Sequence, residues 1–135
     1  RLKRIAKVEE VYDDMRFRDE IAKLEVDVVA LEMMVLRVLS AEKSGKQSLD
    51  IAGLLKIKGS EIQQRYTELM MLAAGPFAQP YVREAMEAGW QGDYYARFAI
   101  CAPLAGTYFN YRKPTIYGGS NEVQRNIVAQ TVLGS

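Results

Sequence analysis

Apolar residues recur along most of this chain at the three- and four-residue spacings of a single helix face, most regularly from Phe17 onward. Phe17, Ile21, Leu24, Val28, Leu31, Val35 and Val38 alternate by four and three, a heptad-like seam for packing against neighbouring helices. Val29, Met33, Leu36 and Leu39 widen the stripe, so the pattern predicts a long helix over 16–43 that touches more than one partner. Ser44-Gly45-Lys46-Gln47 supplies a glycine stop. A second helix is expected over 48–74, with Ser48 as its cap and Asp50 near the positive end of the helix dipole. Its stripe reads Ile51, Leu55, Gly59, Ile62, Tyr66, Leu69 and Ala73. Gly59 costs about 1 kcal/mol of helix propensity against alanine, and its place on that stripe predicts close approach of another helix. Gly75-Pro76 ends the segment.

The flanks are less regular. Residues 1–14 are charged with sparse apolar positions, which predicts a marginal helix or the tail of one begun upstream, and Asp13-Asp14 suits a break or an N-cap. Over 76–101, Pro80, Gly89 and Gly92 interrupt a stretch holding Phe77, Tyr81, Trp90, Tyr94, Tyr95 and Phe98. A short helix near 81–88 and an ordered loop are expected there, the aromatics serving as minor core, pocket cover or interface. Pro103 fits the first position of a helix over 103–112, which Lys113-Pro114 closes. After Gly118-Gly119-Ser120 the pattern turns helical again from Asn121 to Leu133, with Val123, Ile127 and Val128 on its apolar side. Four principal helices and no convincing strand predict an all-α, up-down helical bundle.

Composition narrows the chemistry. The 135 residues suit one domain, and 49% hydrophobic with 26% charged residues is the profile of a packed chain rather than a disordered one. A net charge of +1 argues against a nucleic-acid footprint. Histidine is absent, which removes Ser–His and Cys–His nucleophile pairs, histidine acid–base chemistry and most zinc sites. Cys101 stands alone and forms no internal disulfide. No apolar run reaches the roughly 18 residues that span a bilayer, so no membrane partner is expected. The chain opens on Arg1-Leu2-Lys3-Arg4 without a signal-peptide pattern; it is expected to begin inside a larger protein, although a processed or trimmed terminus would look the same.

The most informative segment is Ile116-Tyr117-Gly118-Gly119-Ser120-Asn121-Glu122-Val123-Gln124-Arg125. It is a glycine turn feeding a helix with Ser120 at its N-cap. First-turn N–H groups lack partners within their helix, so they can hold a phosphate or ribose oxygen, and the two glycines allow a flat ring or another backbone close. Glu122 can accept from ribose hydroxyls or simply complement the dipole. A capped turn with no ligand has the same pattern.

Read from Pro114 to Arg125 with Asn126-Ile127-Val128-Ala129 and Leu133-Gly134, this segment resembles the C-terminal signature of the acyl-CoA dehydrogenase family, and the likeness extends back through both long helices. The resemblance implies an FAD-dependent oxidoreductase of fatty acid metabolism and a dimer or tetramer. Its reaction is expected to be α,β-dehydrogenation: a base takes the α-proton of an acyl-CoA thioester, the β-hydrogen leaves as hydride to flavin N5, and a trans-enoyl-CoA forms. Electron-transfer flavoprotein is the implied acceptor. The implied location is a bacterial cytoplasm, or the mitochondrial matrix if eukaryotic. Ser120 and Glu122, with Gly119 and Asn121, match positions that touch the adenosine and phosphate part of FAD, and Tyr117 with Gly118 matches the flavin and acyl pocket.

Two departures matter. Many members carry a glutamate base immediately after the tyrosine, where this chain has Gly118; a second branch keeps glycine there and places its glutamate on a preceding helix, expected to lie outside this sequence. No catalytic residue is therefore assigned here. A second family segment, Gln-x-x-Gly-Gly, which in the family contacts FAD held mainly by a neighbouring subunit, reads Met71-Leu72-Ala73-Ala74-Gly75 in this chain; the resemblance leaves Gly75 able to make a backbone contact, while the side-chain amide is lost. A different class of function stays open beside the flavoenzyme, a non-catalytic oligomerisation module derived from the same family.

The remaining residues take ordinary roles. Met33, Met34, Met70 and Met71 read as core filler, and Cys101 as a small buried hydrophobe. Glu9-Glu10 and Asp13-Asp14 read as solvated charge rather than metal ligands, and the Arg1, Lys3, Arg4 and Lys7 cluster is too short to outweigh the neutral total. Arg112 and Lys113 either complement a helix C-terminus or steer an anionic cofactor.

Overall fold

In a computed structural model, the backbone is described for residues 1–43, 49–87, 89–90 and 96–133, with the side chains of 42, 49–50, 96–98 and 132–133 left aside. Among the described residues the regular structure is helical, as the periodicities predict. The α-helices are α1 (Leu2–Val8), α2 (Met15–Lys43), α3 (Leu49–Ala74), α4 (Ala96–Cys101), α5 (Leu104–Asn110) and α6 (Asn121–Leu133). Short 3-10 turns cover Gly75–Ala78, Arg83–Met86 and Lys113–Thr115. The expectations for Ser44 through Ser48, Gly92, Tyr94, Tyr95 and Gly134, and for the side chains of Asp50, Phe98 and Leu133, fall outside the described residues.

The chain forms two compact units, one of residues 1–23 with 64–112 and one of 24–63 with 113–135. In the first, small residues let helices approach closely. Ala6, Ala73, Ala74, Ala78, Ala102 and Ala105 are buried among Leu2, Ile5, Leu69, Met70 and Leu104. Cys101 is buried with them, the small-hydrophobe role its isolation suggests. Helix α1 stops earlier than Asp13-Asp14 would place it. The Val11 N–H donates to the Ala6 carbonyl at 3.0 Å and the Glu10 N–H to the Lys7 carbonyl at 3.3 Å, while Glu10 adopts φ +60. That is a Schellman ending with glutamate where glycine is usual, which hides it from a search for glycine. Asp14 caps the next helix, its Oδ1 accepting from Arg16 N–H at 2.7 Å and Phe17 N–H at 3.2 Å.

Arg112 corrects an expectation. Rather than closing its own helix, it donates to the Gln64 carbonyl at 2.9 Å and to Thr67 Oγ1 at 3.3 Å, and stacks 4.2 Å from the Tyr108 ring centroid. Gln64 Nε2 returns a bond to the Arg112 carbonyl at 3.0 Å, so the end of α5 is fastened to the middle of α3. Phe77 and Tyr81 are exposed rather than core, because the turns that carry them lie at the surface; Tyr81 pairs with Phe109 at 6.3 Å between centroids.

The second unit departs further from the hydrophobic pattern. Its α3 residues Gly53, Ile57 and Ser60 are buried, whereas Ile51, Leu55, Gly59 and Ile62 are only half-buried. At 3.6 residues per turn these two sets lie on roughly opposite faces. The buried face contains a glycine and a serine, so a count of apolar residues passes over it. Close helix approach occurs at Gly53, not Gly59. A Cβ at Gly53 would sit 2.9 Å from Val128 Cγ2 and 3.1 Å from Gln124 Oε1 in α6, and one at Gly59 would meet nothing within 4 Å. The seam of α2 buries Ile21 and Leu24, then thins: Val28, Val35 and the widening residues Val29, Met33, Leu36 and Leu39 are exposed.

The two glycines of α3 therefore respond oppositely to alanine. Gly59→Ala is expected to stabilise by about 1 kcal/mol through helix propensity. Gly53→Ala is expected to destabilise by about 1–3 kcal/mol, because the stiff Val128 side chain must move. Urea unfolding midpoints of the two variants check the pair; a shift of both in the same direction would contradict the packing.

Candidate functional site

The segment singled out by sequence is an exposed turn suspended between two buried residues, Pro114 and Asn121. Ile116 N–H donates to the Lys113 carbonyl at 2.9 Å, and Tyr117 N–H to the same carbonyl at 3.3 Å. The chain then passes through Gly118 at φ +69 and Gly119 at φ +84, a left-handed pair that residues with a Cβ rarely adopt. Beyond Gly118 a Cβ would meet open space, whereas at Gly119 it would strike Gln124 Nε2 at 2.6 Å. Gln124 Nε2 donates to the Gly118 carbonyl at 3.3 Å and closes the turn from inside. Tyr117 points its ring outward and is 57% exposed.

Ser120 caps α6 as the sequence suggests. Its Oγ accepts from Val123 N–H at 3.3 Å and its carbonyl accepts from Gln124 N–H at 2.9 Å. Glu122 folds back onto this terminus. Its own backbone N–H and the Ser120 hydroxyl, helped by the nearby Arg125 and Lys56 charges, hold its carboxyl below the ordinary value of 4.5 despite slight desolvation. The Glu122 carboxylate thus already answers the positive end of the α6 dipole.

Asn121 is the residue whose role differs most from the sequence expectation. It is 3% exposed and both ends of its amide are used inside the protein. Lys56 Nζ donates to its Oδ1 at 2.7 Å, and its Nδ2 donates to Ser60 Oγ at 3.0 Å. Ser60, 5% exposed, donates a hydrogen bond from its hydroxyl to the Ile57 carbonyl at 2.8 Å, and the same oxygen lies 3.2 Å from Asn121 Oδ1. Only the Asn121 backbone is left to face a ligand. Further out, Arg125 pairs with Glu61 at 2.8 Å, and Lys58 lies 3.4 Å from the same carboxylate; these exposed pairs contribute little.

Gly75 belongs to the first unit. It follows α3 at φ +54, and a Cβ there would meet nothing within 4 Å. Met71, in the place of the family's glutamine, is half-buried and Ala74 is buried. The structure brings Tyr117, Gly118, Gly119, Ser120, Asn121 and Glu122 together in the second unit with Lys56 and Ser60. Nothing in the hydrophobic pattern marks Lys56 or Ser60; the available signal is a serine one turn from Lys56 on a helix that must pack. Among the described residues no group of acidic or cysteine side chains is placed to hold a metal, and no helix is long and apolar enough to cross a membrane.

A helical protein that presents a glycine turn at a capped helix N-terminus is the class this geometry defines. The profile of the family described as "Acyl-CoA dehydrogenase, C-terminal domain" matches residues 2–133. The chain belongs to that family, and its match runs through every helix described above. Comparison with curated proteins and with solved structures yields no match.

The carboxyl of Glu122 predicts a direction of pH dependence. Its depressed value means that its contribution to stability is complete above about 4.5 and is lost as pH falls through the lower folded value. Glu122→Gln should therefore unfold more easily than the wild type at neutral pH, with the gap closing in acid. Thermal midpoints across the acid range check this; a gap that widens in acid would contradict it.

Proposed function

We propose that residues 117–122 form part of the flavin site of an acyl-CoA dehydrogenase that oxidises an acyl-CoA thioester between its α and β carbons, and that Gly75, separately, offers a backbone contact to FAD held mainly by a neighbouring subunit. Family membership supports the class of reaction, and the exposed turn at Gly118-Gly119 is the observation that carries the site. The polar groups there suit the hydroxyl-bearing part of a flavin dinucleotide better than its pyrophosphate. Glu122 accepts hydrogen bonds and already answers the helix dipole, and the Ser120 hydroxyl, which accepts from Val123 N–H, holds that carboxylate in place. The backbone of Gly119 adds contacts that need no side chain.

When bound, the flavin supplies the two-electron acceptor. The chain's own share is orientation. The open space beyond Gly118 admits a flat group, and the exposed Tyr117 ring can lie against it and against an acyl chain. Gly118 has no side chain to hold a proton, so the base that takes the α-proton is assigned to another segment of the protein. Electron-transfer flavoprotein is the proposed acceptor, and a bacterial cytoplasm or mitochondrial matrix the proposed setting. The chain by itself is proposed to bind FAD weakly or not at all and to turn nothing over.

One observation favours a second role beside the first. Val26, Val29, Met33 and Leu36 leave an apolar stripe of α2 exposed, and Val28, Val35 and Leu39 are exposed on another side of the helix, more than scattered surface residues would be. An oligomerisation module uses such a face.

Absorbance spectroscopy of the natural protein during addition of acyl-CoA thioesters tests the first role. A flavin spectrum that bleaches with one chain-length class is expected, and a protein with no flavin would refute it. Sedimentation tests the second: Leu36→Asp should shift the chain from oligomer toward monomer, and a wild type that is already monomeric would remove it.

A further inference from the structure

The exposed turn has little to hold it in place by itself. From Ile116 to Gly119 every residue is exposed, two of the four are glycines at positive φ, and the 3.3 Å contact of Gln124 is a side-chain bond that closes the turn from α6. What fixes its position is its ends. At the start Pro114 is buried, and at the finish the first residue of α6, Asn121, is buried by polar contacts to α3. Lys56 and Ser60 are four residues apart on α3, so they lie on one face, one turn from each other. Together they take both ends of the Asn121 amide. The neighbouring Gly53 brings α6 close enough for this, since its missing side chain leaves room for Val128 and Gln124.

We propose that Lys56 and Ser60 are positioning residues for the ligand-facing turn: through Asn121 they set where Gly118, Gly119, Ser120 and Glu122 stand relative to α3. This rests on the flavin reading for its consequence but not for its geometry. The pair touches no ligand. A buried amide bonded at both ends is sharply directional, since losing either partner strands a polar group away from water. The clamp therefore fixes the rotation as well as the height of α6 at its first turn. The Lys56 charge also adds to the attraction on Glu122, so one side chain serves both the anchor and the carboxylate beside it.

Hydrogen exchange of the chain, followed by mass spectrometry over residues 116–125, tests the geometry without any cofactor. Lys56→Met and Ser60→Ala should each speed exchange of that segment by about tenfold, with exchange of α1 and α5 unchanged. Lys56→Arg, which keeps a charged donor, should restore slow exchange. Wild-type protection in Lys56→Met and Ser60→Ala would overturn the proposal, as would equal acceleration throughout the chain. Flavin retention by the natural protein supplies the second readout: Lys56→Met should release flavin about tenfold more readily and Lys56→Arg should not. Faster exchange with undiminished flavin affinity would overturn the positioning role. A wild type with no flavin would refute the flavin reading and leave exchange to decide the clamp.

Discussion

The hydrogen-bonded amide of Asn121, held by Lys56 on one side and Ser60 on the other, is the constraint on which the second unit turns. Among the described residues, hydrophobic burial is sparse in that unit. Leu24 and Ile57 are buried, while most apolar residues of α2 and α6 face outward. Packing of this kind is non-directional and would tolerate α6 rotating or sliding by part of a turn. A buried amide with two fixed partners does not, because each displaced bond strands a polar group. The start of α6, where the glycine turn ends, thus takes its direction from a polar contact, while buried Pro114 holds the other end of the turn.

The two units illustrate different solutions to the same problem. In the first, small buried alanines suit close helix packing, and Leu69, Met70 and Leu104 are buried with them. The bond from Arg112 Nη2 to the Gln64 carbonyl, with the returning bond from Gln64, adds direction to that packing. Arg65 likewise links Glu20 and Glu68 on the surface, where such pairs adjust stability only slightly. In the second unit the order is reversed. Direction comes first, from Asn121, and the close approach at Gly53 makes room for it.

This difference explains what could be read before the structure. The long helices, the stop at Gly75, the Asp14 and Ser120 caps and the buried part of the α2 seam were legible, because period and capping chemistry are local properties. The glycine turn was legible too, and Gly118 and Gly119 do take the positive φ that makes glycine necessary there. The buried face of the first half of α3 was not. It is built from Gly53, Ile57 and Ser60, and a hydrophobicity scale favours Ile51, Leu55 and Ile62 on the other side. The α1 ending escaped for a related reason, since Glu10 occupies a conformation that composition assigns to glycine. Asn121 carried the largest surprise: a motif position expected to face a ligand points its side chain inward instead. That inward amide explains why an asparagine stands between two residues that do face solvent or the cap.

The most direct test of this account is a double-mutant cycle on stability, using Ser60→Ala, Asn121→Ala and the pair together in urea unfolding. If the clamp is one cooperative unit, each single variant should cost about 1–3 kcal/mol and the double variant clearly less than their sum, because the second substitution removes a partner already stranded. Costs that simply add would show two independent residues, and would contradict the claim that this amide sets the position of the turn.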